Sequence, residues 1–136
     1  MKAKVSNKCI SQIKQAIYDQ GSNYEIGGIL LGIRTPTSIV ALQAVTIPSM
    51  DLDAYSYYLD GELATRIVNN SNYEFIGIWH SHVNSCNHFS KTDQRVNHEF
   101  SAMFNGIISI LATLDDTLVK ISAFYITKDR KNIKCN

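Results

Sequence analysis

The chain lacks an apolar run of signal-peptide length in its opening MKAKVSNKCI, and no segment approaches the roughly 18 uninterrupted apolar residues of a membrane span. These absences favour a cytoplasmic protein that makes no use of a membrane. Its three cysteines, Cys9, Cys86 and Cys135, are odd in number, far apart and outside any C-x-x-C pair, so reduced thiols are expected and not a disulfide framework. Thirteen Lys and Arg against twelve Asp and Glu leave a formal charge of +1, so no net field attracts nucleic acid, a membrane surface or a strongly acidic partner. There are only two prolines, and no internal repeat, low-complexity tract or linker interrupts the 136 residues. One domain over residues 1–136 is expected, long enough to bury a core.

What is present is strong periodicity. Residues 6–20 read as a helix through Ile10, Ile13 and Ile17, with Gly21 just past its end. EIGGILLGIR (25–34) and TSIVALQAVTI (37–47) read as strands joined by a turn at Thr35-Pro36. DLDAYSYYLD (51–60) is a loop or short strand, followed by a helix from about 61 to 70 with Asp60 as its N-cap. YEFIGIWH (73–80) alternates and is rich in aromatic and β-branched residues, so it is a strand. Lys91 to Phe104 is helical, and GIISILATL (106–114) and TLVKISAFYIT (117–127) are two more strands. Interspersed strands and helices give an α/β or α+β fold, with a central mixed β-sheet flanked by helices.

The chemistry concentrates in HSHVNSCNHFSKTD, residues 80–93, which holds three of the four histidines. In an extended segment Ile76, Ile78, His80 and His82 share one side, so two imidazoles two positions apart can reach one ion. Asp93 falls in the first turn of the next helix, where the N-terminal dipole favours a carboxylate. The three ligands would leave a fourth position for water, as in catalytic zinc sites. Ser90-x-x-Asp93 also resembles a helix N-cap, and that role is compatible with facing the site. The pattern H-x-H-x7-S-x2-D is expected by chance on the order of once in a thousand such chains. Cys86 and His88 could serve a second metal but are too few by themselves, and His98 reads as a helix-surface or packing residue. No H-E-x-x-H is present, nor H-x-E with P-C-x-x-C, which excludes the helix-borne zinc peptidase and nucleobase deaminase patterns.

HSHVNSCNHFSKTD resembles the signature of the JAMM/MPN+ (Mov34-type) zinc metallopeptidases. That family also has an upstream glutamate at the start of a strand, and EIGGILLG is similar to this element, with Glu25 as the acid. The order of elements agrees over nearly the whole chain, so the resemblance implies a JAMM/MPN-like fold in a minimal, prokaryotic-type version. Val83 and Phe89 stand where the family often has proline, which bears on loop stiffness.

The resemblance implies a zinc metallopeptidase with one zinc per chain on His80, His82 and Asp93. Glu25 would be the general base and Ser90 the oxyanion donor. Gly27 and Gly28 remove side-chain bulk where backbone or substrate must come close. The implied reaction is cleavage after the C-terminal glycine of a ubiquitin-like or sulfur-carrier-type protein, by deconjugation or C-terminal processing. Tyr55, Tyr57 and Tyr58 are candidates for the wall of the channel that takes the glycine-rich tail. The alternatives are a non-catalytic MPN-type scaffold, or a hydrolase releasing a small amine such as cysteine from a carrier-protein conjugate.

Overall fold

The computed structural model describes residues 1–20, 24–51, 56–83 and 86–135. In chain order the elements are β1 (Lys2–Val5), α1 (Asn7–Gln20), β2 (Gly27–Arg34), β3 (Ser38–Thr46), α2 (Gly61–Asn69), β4 (Glu74–His82), α3 (Lys91–Phe104), β5 (Ile107–Asp115), β6 (Leu118–Ile126) and β7 (Asn132–Lys134). The strands form one mixed sheet in the order β1-β3-β2-β4-β5-β6-β7. Pairing is parallel for β1 with β3 and for β4 with β5, and antiparallel elsewhere. This is the mixed α/β arrangement expected from the sequence.

Each expected element lies within two residues of its expected bounds. The short strands β1 and β7 carry too few residues to show a period, and both sit at the sheet edges. Gly21 and Tyr55 lie outside the described residues. Local chemistry sets the helix starts. Ser6 Oγ accepts from the Cys9 N–H at 3.1 Å, and Asp60 Oδ1 accepts from the Leu63 N–H at 3.1 Å.

Helices cover both faces. On one, Cys9, Ile13 and Ile17 of α1 recur every four residues and pack on Leu30, Trp79, Ile108 and Ile110. On the other, Ala64 and Leu63 of α2 pack on Ile29, Leu31 and Ile47, while Val96 and Phe100 of α3 pack on Ile78, Ile107 and Ile126. One expectation is corrected here. The β2–β4 register shifts between Leu30 and Leu31, so that Leu30 faces Gly77 but Leu31 faces Phe75. The extra residue is Ile76, which joins the α1-side core with Leu30 and Trp79, whereas Ile78 lies on the opposite side. A β-bulge thus breaks the alternation, and Ile76 does not share the face of Ile78, His80 and His82.

The β4–α3–β5 unit positions the site. Its two strands run parallel, and His80 and His82 stand level with Leu111 and Thr113 at their carboxyl ends. Ligand sites of open α/β sheets lie beyond such ends.

Candidate metal centre

Strand β4 continues through His82, two residues further than its apolar alternation suggests, so both histidines project from regular strand backbone toward the α3 face. Across the loop, Ser90 is the N-cap of α3 and Asp93 its third residue. Ser90 Oγ accepts from the Asp93 N–H at 3.0 Å, and Asp93 Oδ2 accepts from the Ser90 N–H at 2.8 Å, closing a capping box. The capping reading of Ser90 and Asp93 is thus borne out.

Three donor atoms converge. His80 Nε2 lies 3.3 Å from His82 Nε2, and Asp93 Oδ2 lies 3.2 Å from the first and 3.1 Å from the second. His82 Nδ1 is 2.9 Å from the Cys86 carbonyl oxygen. A carbonyl only accepts, so Nδ1 carries the proton and, in the neutral ring, Nε2 presents its lone pair to the centre. Contacts of this kind orient metal-ligating histidines. Without a metal, the hydrogen bond to Asp93 pushes the His82 pKa up to about 9 against the opposing effect of burial. Burial favours the neutral Asp93 carboxyl, but hydrogen bonds from His80 and His82 outweigh it and hold the group far below the usual carboxylate range.

Glu25 comes close to the same two histidines. One ligand atom from each of Glu25, His80 and His82 lies within 4.8 Å of the others, a group that can hold a metal ion. Glu25 precedes β2 by two residues, and its neighbour Ile26 is tied to β4 twice. The Ile26 N–H donates to Ser81 Oγ at 3.0 Å, and the Ser81 N–H donates to the Ile26 carbonyl at 2.8 Å. A Cβ on Gly27 would sit 2.5 Å from the Trp79 carbonyl oxygen and 3.0 Å from both His80 Cβ and the Tyr57 ring. One on Gly28 would collide with the Val45 carbonyl at 1.8 Å. Both glycines thus serve close backbone approach, as expected.

All five expected positions, Glu25, His80, His82, Ser90 and Asp93, gather at this end of the sheet. Several neighbours were not evident from the sequence. Buried Ser81 ties Ile26, the neighbour of Glu25, to β4, and the centre of the Phe89 ring lies 6.3 Å from that of His80 and 5.5 Å from that of Phe124. Half-buried Tyr57 donates to the Ile47 carbonyl at 2.7 Å, and its phenol is pushed up chiefly by burial. A cavity of about 290 Å³ opens between residues 57–61 and α3, with Tyr57, Tyr58, Ile78, His80 and Asp93 on its walls. Another, of about 490 Å³, has Glu25 on its wall with Tyr24, Thr46 and Asp51. Cys86 and His88 join no group of three or more ligands among the described residues, and His98 is half-buried on α3.

No helix among the described residues is long and apolar enough to cross a membrane. No curated protein sequence matches the chain. Among solved structures, the solution structure of a Desulfitobacterium hafniense protein superposes with a TM-score of 0.75 at 17% identity, covering 98% of this chain and 91% of that one. At that identity the likeness speaks for the fold. The family model described as prokaryotic homologs of the JAB domain matches residues 11–126. That match runs from the first turns of α1 to the end of β6 and takes in every residue of the candidate centre, so the chain belongs to the JAB-domain family, which includes metallopeptidases.

Proposed function

We propose that this protein is a zinc-dependent peptidase or isopeptidase that cuts after the C-terminal glycine of a ubiquitin-like or sulfur-carrier-type protein. The reading rests on the triangle of His80 Nε2, His82 Nε2 and Asp93 Oδ2, whose edges are 3.3, 3.2 and 3.1 Å. A tetrahedral zinc ion with bonds of about 2.0–2.1 Å needs ligand atoms about 3.3–3.4 Å apart. The donor set therefore suits one zinc per chain in both chemistry and spacing, with Asp93 as the third ligand. Glu25, bounded only by the wider 4.8 Å group, is left for proton transfer.

When bound, zinc supplies a Lewis acid and brings the pKa of water toward ~7. The remaining work falls to the chain. The Glu25 carboxylate takes a proton from the attacking water and delivers it to the leaving amine. Ser90 Oγ already accepts from the Asp93 N–H, which leaves its hydroxyl hydrogen to donate to the developing oxyanion. The His82–Cys86 contact keeps the ring nitrogens in their roles.

The strands beside the triad, β2, β4 and β5, are interior, and the sheet edges belong to β1 and β7. A substrate tail is therefore not recruited by adding a strand next to β4. It lies instead between residues 57–61 and α3, with Tyr57 and Tyr58 on one wall. Slim glycines there let the scissile carbonyl come close to the triad. We place the activity in one domain over residues 1–136 and in the cytoplasm, where thiols such as Cys9 and Cys135 stay reduced.

Elemental analysis of the purified protein is expected to show one zinc per chain, most of it lost in His82→Ala. Full stoichiometry in both His80→Ala and His82→Ala overturns the ligand assignment. A fusion ending its ubiquitin-like part in two glycines should be cleaved, and a matched fusion with leucines in their place should not. Zinc binding without cleavage of either would favour a scaffold role.

A further inference from the structure

The formal charge of +1 conceals one local concentration of cations. Lys91, Arg95, His98 and Ala102 recur at positions i, i+4, i+7 and i+11, so they form one stripe along α3. Together with Arg130, from the turn between β6 and β7, they line an open groove of about 560 Å³. Glu99 is the one acid on its walls among the described residues. Its contact with Arg95 is exposed and 3.9 Å long, and such a pair binds weakly.

Two of these cations sit where local structure disfavours them. Lys91 is the first residue of α3, at the positive end of the helix dipole, while the last turn, where a cation is favoured, has none. Arg130 has a φ of 68°, in the left-handed region. The other non-glycine residues found there among the described ones, Asn105 and Asp116, are of types that tolerate it, and arginine is not. Neither Lys91 nor Arg130 forms an ion pair among the described residues. Local rules broken twice on one groove point to function and not to folding.

We propose that this groove docks the folded body of the protein substrate through an acidic face, with Lys91, Arg95 and Arg130 as the counter-charges. That the partner is the substrate rests on the peptidase reading, which seats the glycine tail between residues 57–61 and α3; the basic groove rests on the geometry alone. The groove and the tail channel adjoin, since Arg95 and Glu99 stand on the walls of both. An extended tail advances only about 3.3–3.6 Å per residue, so the body it leaves lies against the surface beside the channel. Charges at such a rim speed encounter and set its salt dependence more than they tighten the final complex. A nucleic acid offers the same charge but has no tail to seat in the channel, so an acidic protein is the occupant that both features fit.

Two measurements test this. The first compares an acidic ubiquitin-like domain, ending in two glycines and fused to a reporter, with a short peptide that carries the same tail and no domain. For the unaltered enzyme, kcat/KM on the fusion should fall as salt is raised, and far more than on the peptide. In Lys91→Gln combined with Arg130→Asn, the ratio of fusion to peptide kcat/KM should drop about tenfold at low salt. The double variant should be no less stable than its parent, since both changes relieve a local cost. The second measurement requires no turnover. In Glu25→Gln protein, the calorimetric Kd for the fusion should rise about tenfold when the same two substitutions are added.

Equal salt dependence for fusion and peptide, with a Kd that the substitutions leave in place, overturns the docking groove and leaves the peptidase standing. A Kd that rises with the substitutions while neither substrate is cleaved keeps the groove and rejects the peptidase. A single-stranded DNA bound more tightly than the fusion, and released by the same substitutions, assigns the groove to nucleic acid and overturns the proposal. If the double variant does not fold, the salt dependence of the unaltered enzyme decides alone.

Discussion

The two faces of the sheet are built differently. Against α1 the core is apolar and continuous, with Ile13, Leu30, Ile76, Trp79, Ile108 and Ile110 all buried to within a few per cent. Against α2 and α3 the apolar packing splits into two smaller clusters, and buried polar residues stand among them: His80, Asn97, Ser101, Ser109 and Thr113. Burial of apolar area is the main favourable term in folding. Buried polar groups contribute little net stability and are costly when incompletely paired. The α1 face therefore holds the fold, and the α3 face spends part of that stability on placing chemistry.

That division can be broken from either side. The largest expected effect is on the site face: Glu25→Gln should retain zinc and fold but lose roughly 10²–10⁴ in turnover, the usual worth of a positioned acid–base group. Single-turnover assays with zinc analysis check it, and a near-native rate moves the base elsewhere. On the opposite face, Ile13→Ala empties a fully buried position and should cost about 2–5 kcal/mol in denaturant unfolding. Zinc stoichiometry should be unchanged; a parallel loss of zinc would show that the faces are not independent.

Ser90→Ala should touch both properties. Loss of one oxyanion donor predicts a fall of roughly 10²–10³ in kcat, and loss of the cap about 1 kcal/mol of stability. A change in stability alone would reduce Ser90 to its capping role. The smallest effect is the pH dependence of the metal-free protein. His82 has a folded pKa of about 9, above its ordinary value of 6.5, so its contribution is complete below about 6.5 and is lost as pH rises toward 9. The Asp93 pKa is lowered, so its contribution is present above the ordinary carboxylate range and lost in acid. Metal-free unfolding curves should therefore show stability declining from mildly acidic pH toward pH 9; a flat profile would mean that the His82–Asp93 contact does not persist without metal.

Much of this was legible in the sequence. The helix and strand periods gave every long element, because each buries a regular stripe or alternating face. The spacing of His80, His82, Ser90 and Asp93 carried over directly, since a strand end and a helix start hold their side chains in fixed directions. Ile76 was misplaced because a bulge is a property of two paired strands and leaves no mark on one. The places of Ser81 and Phe89 were not legible for a related reason: they come from contacts between elements, such as Ile26 with Ser81 across 55 residues of chain. Glu25 was found only through the family resemblance, because a lone acid before a strand has no period to reveal it.

The shared oxygen of Asp93 has a further consequence. Oδ2 both faces the two imidazoles and accepts the Ser90 N–H that starts α3. The helix cap therefore immobilises the carboxylate at folding, so on the proposed zinc reading the entropy of ordering it would not be lost again at metal binding. The Ser90 and Asp93 amides should therefore be protected against hydrogen exchange already in metal-free protein, and added zinc should change that protection little.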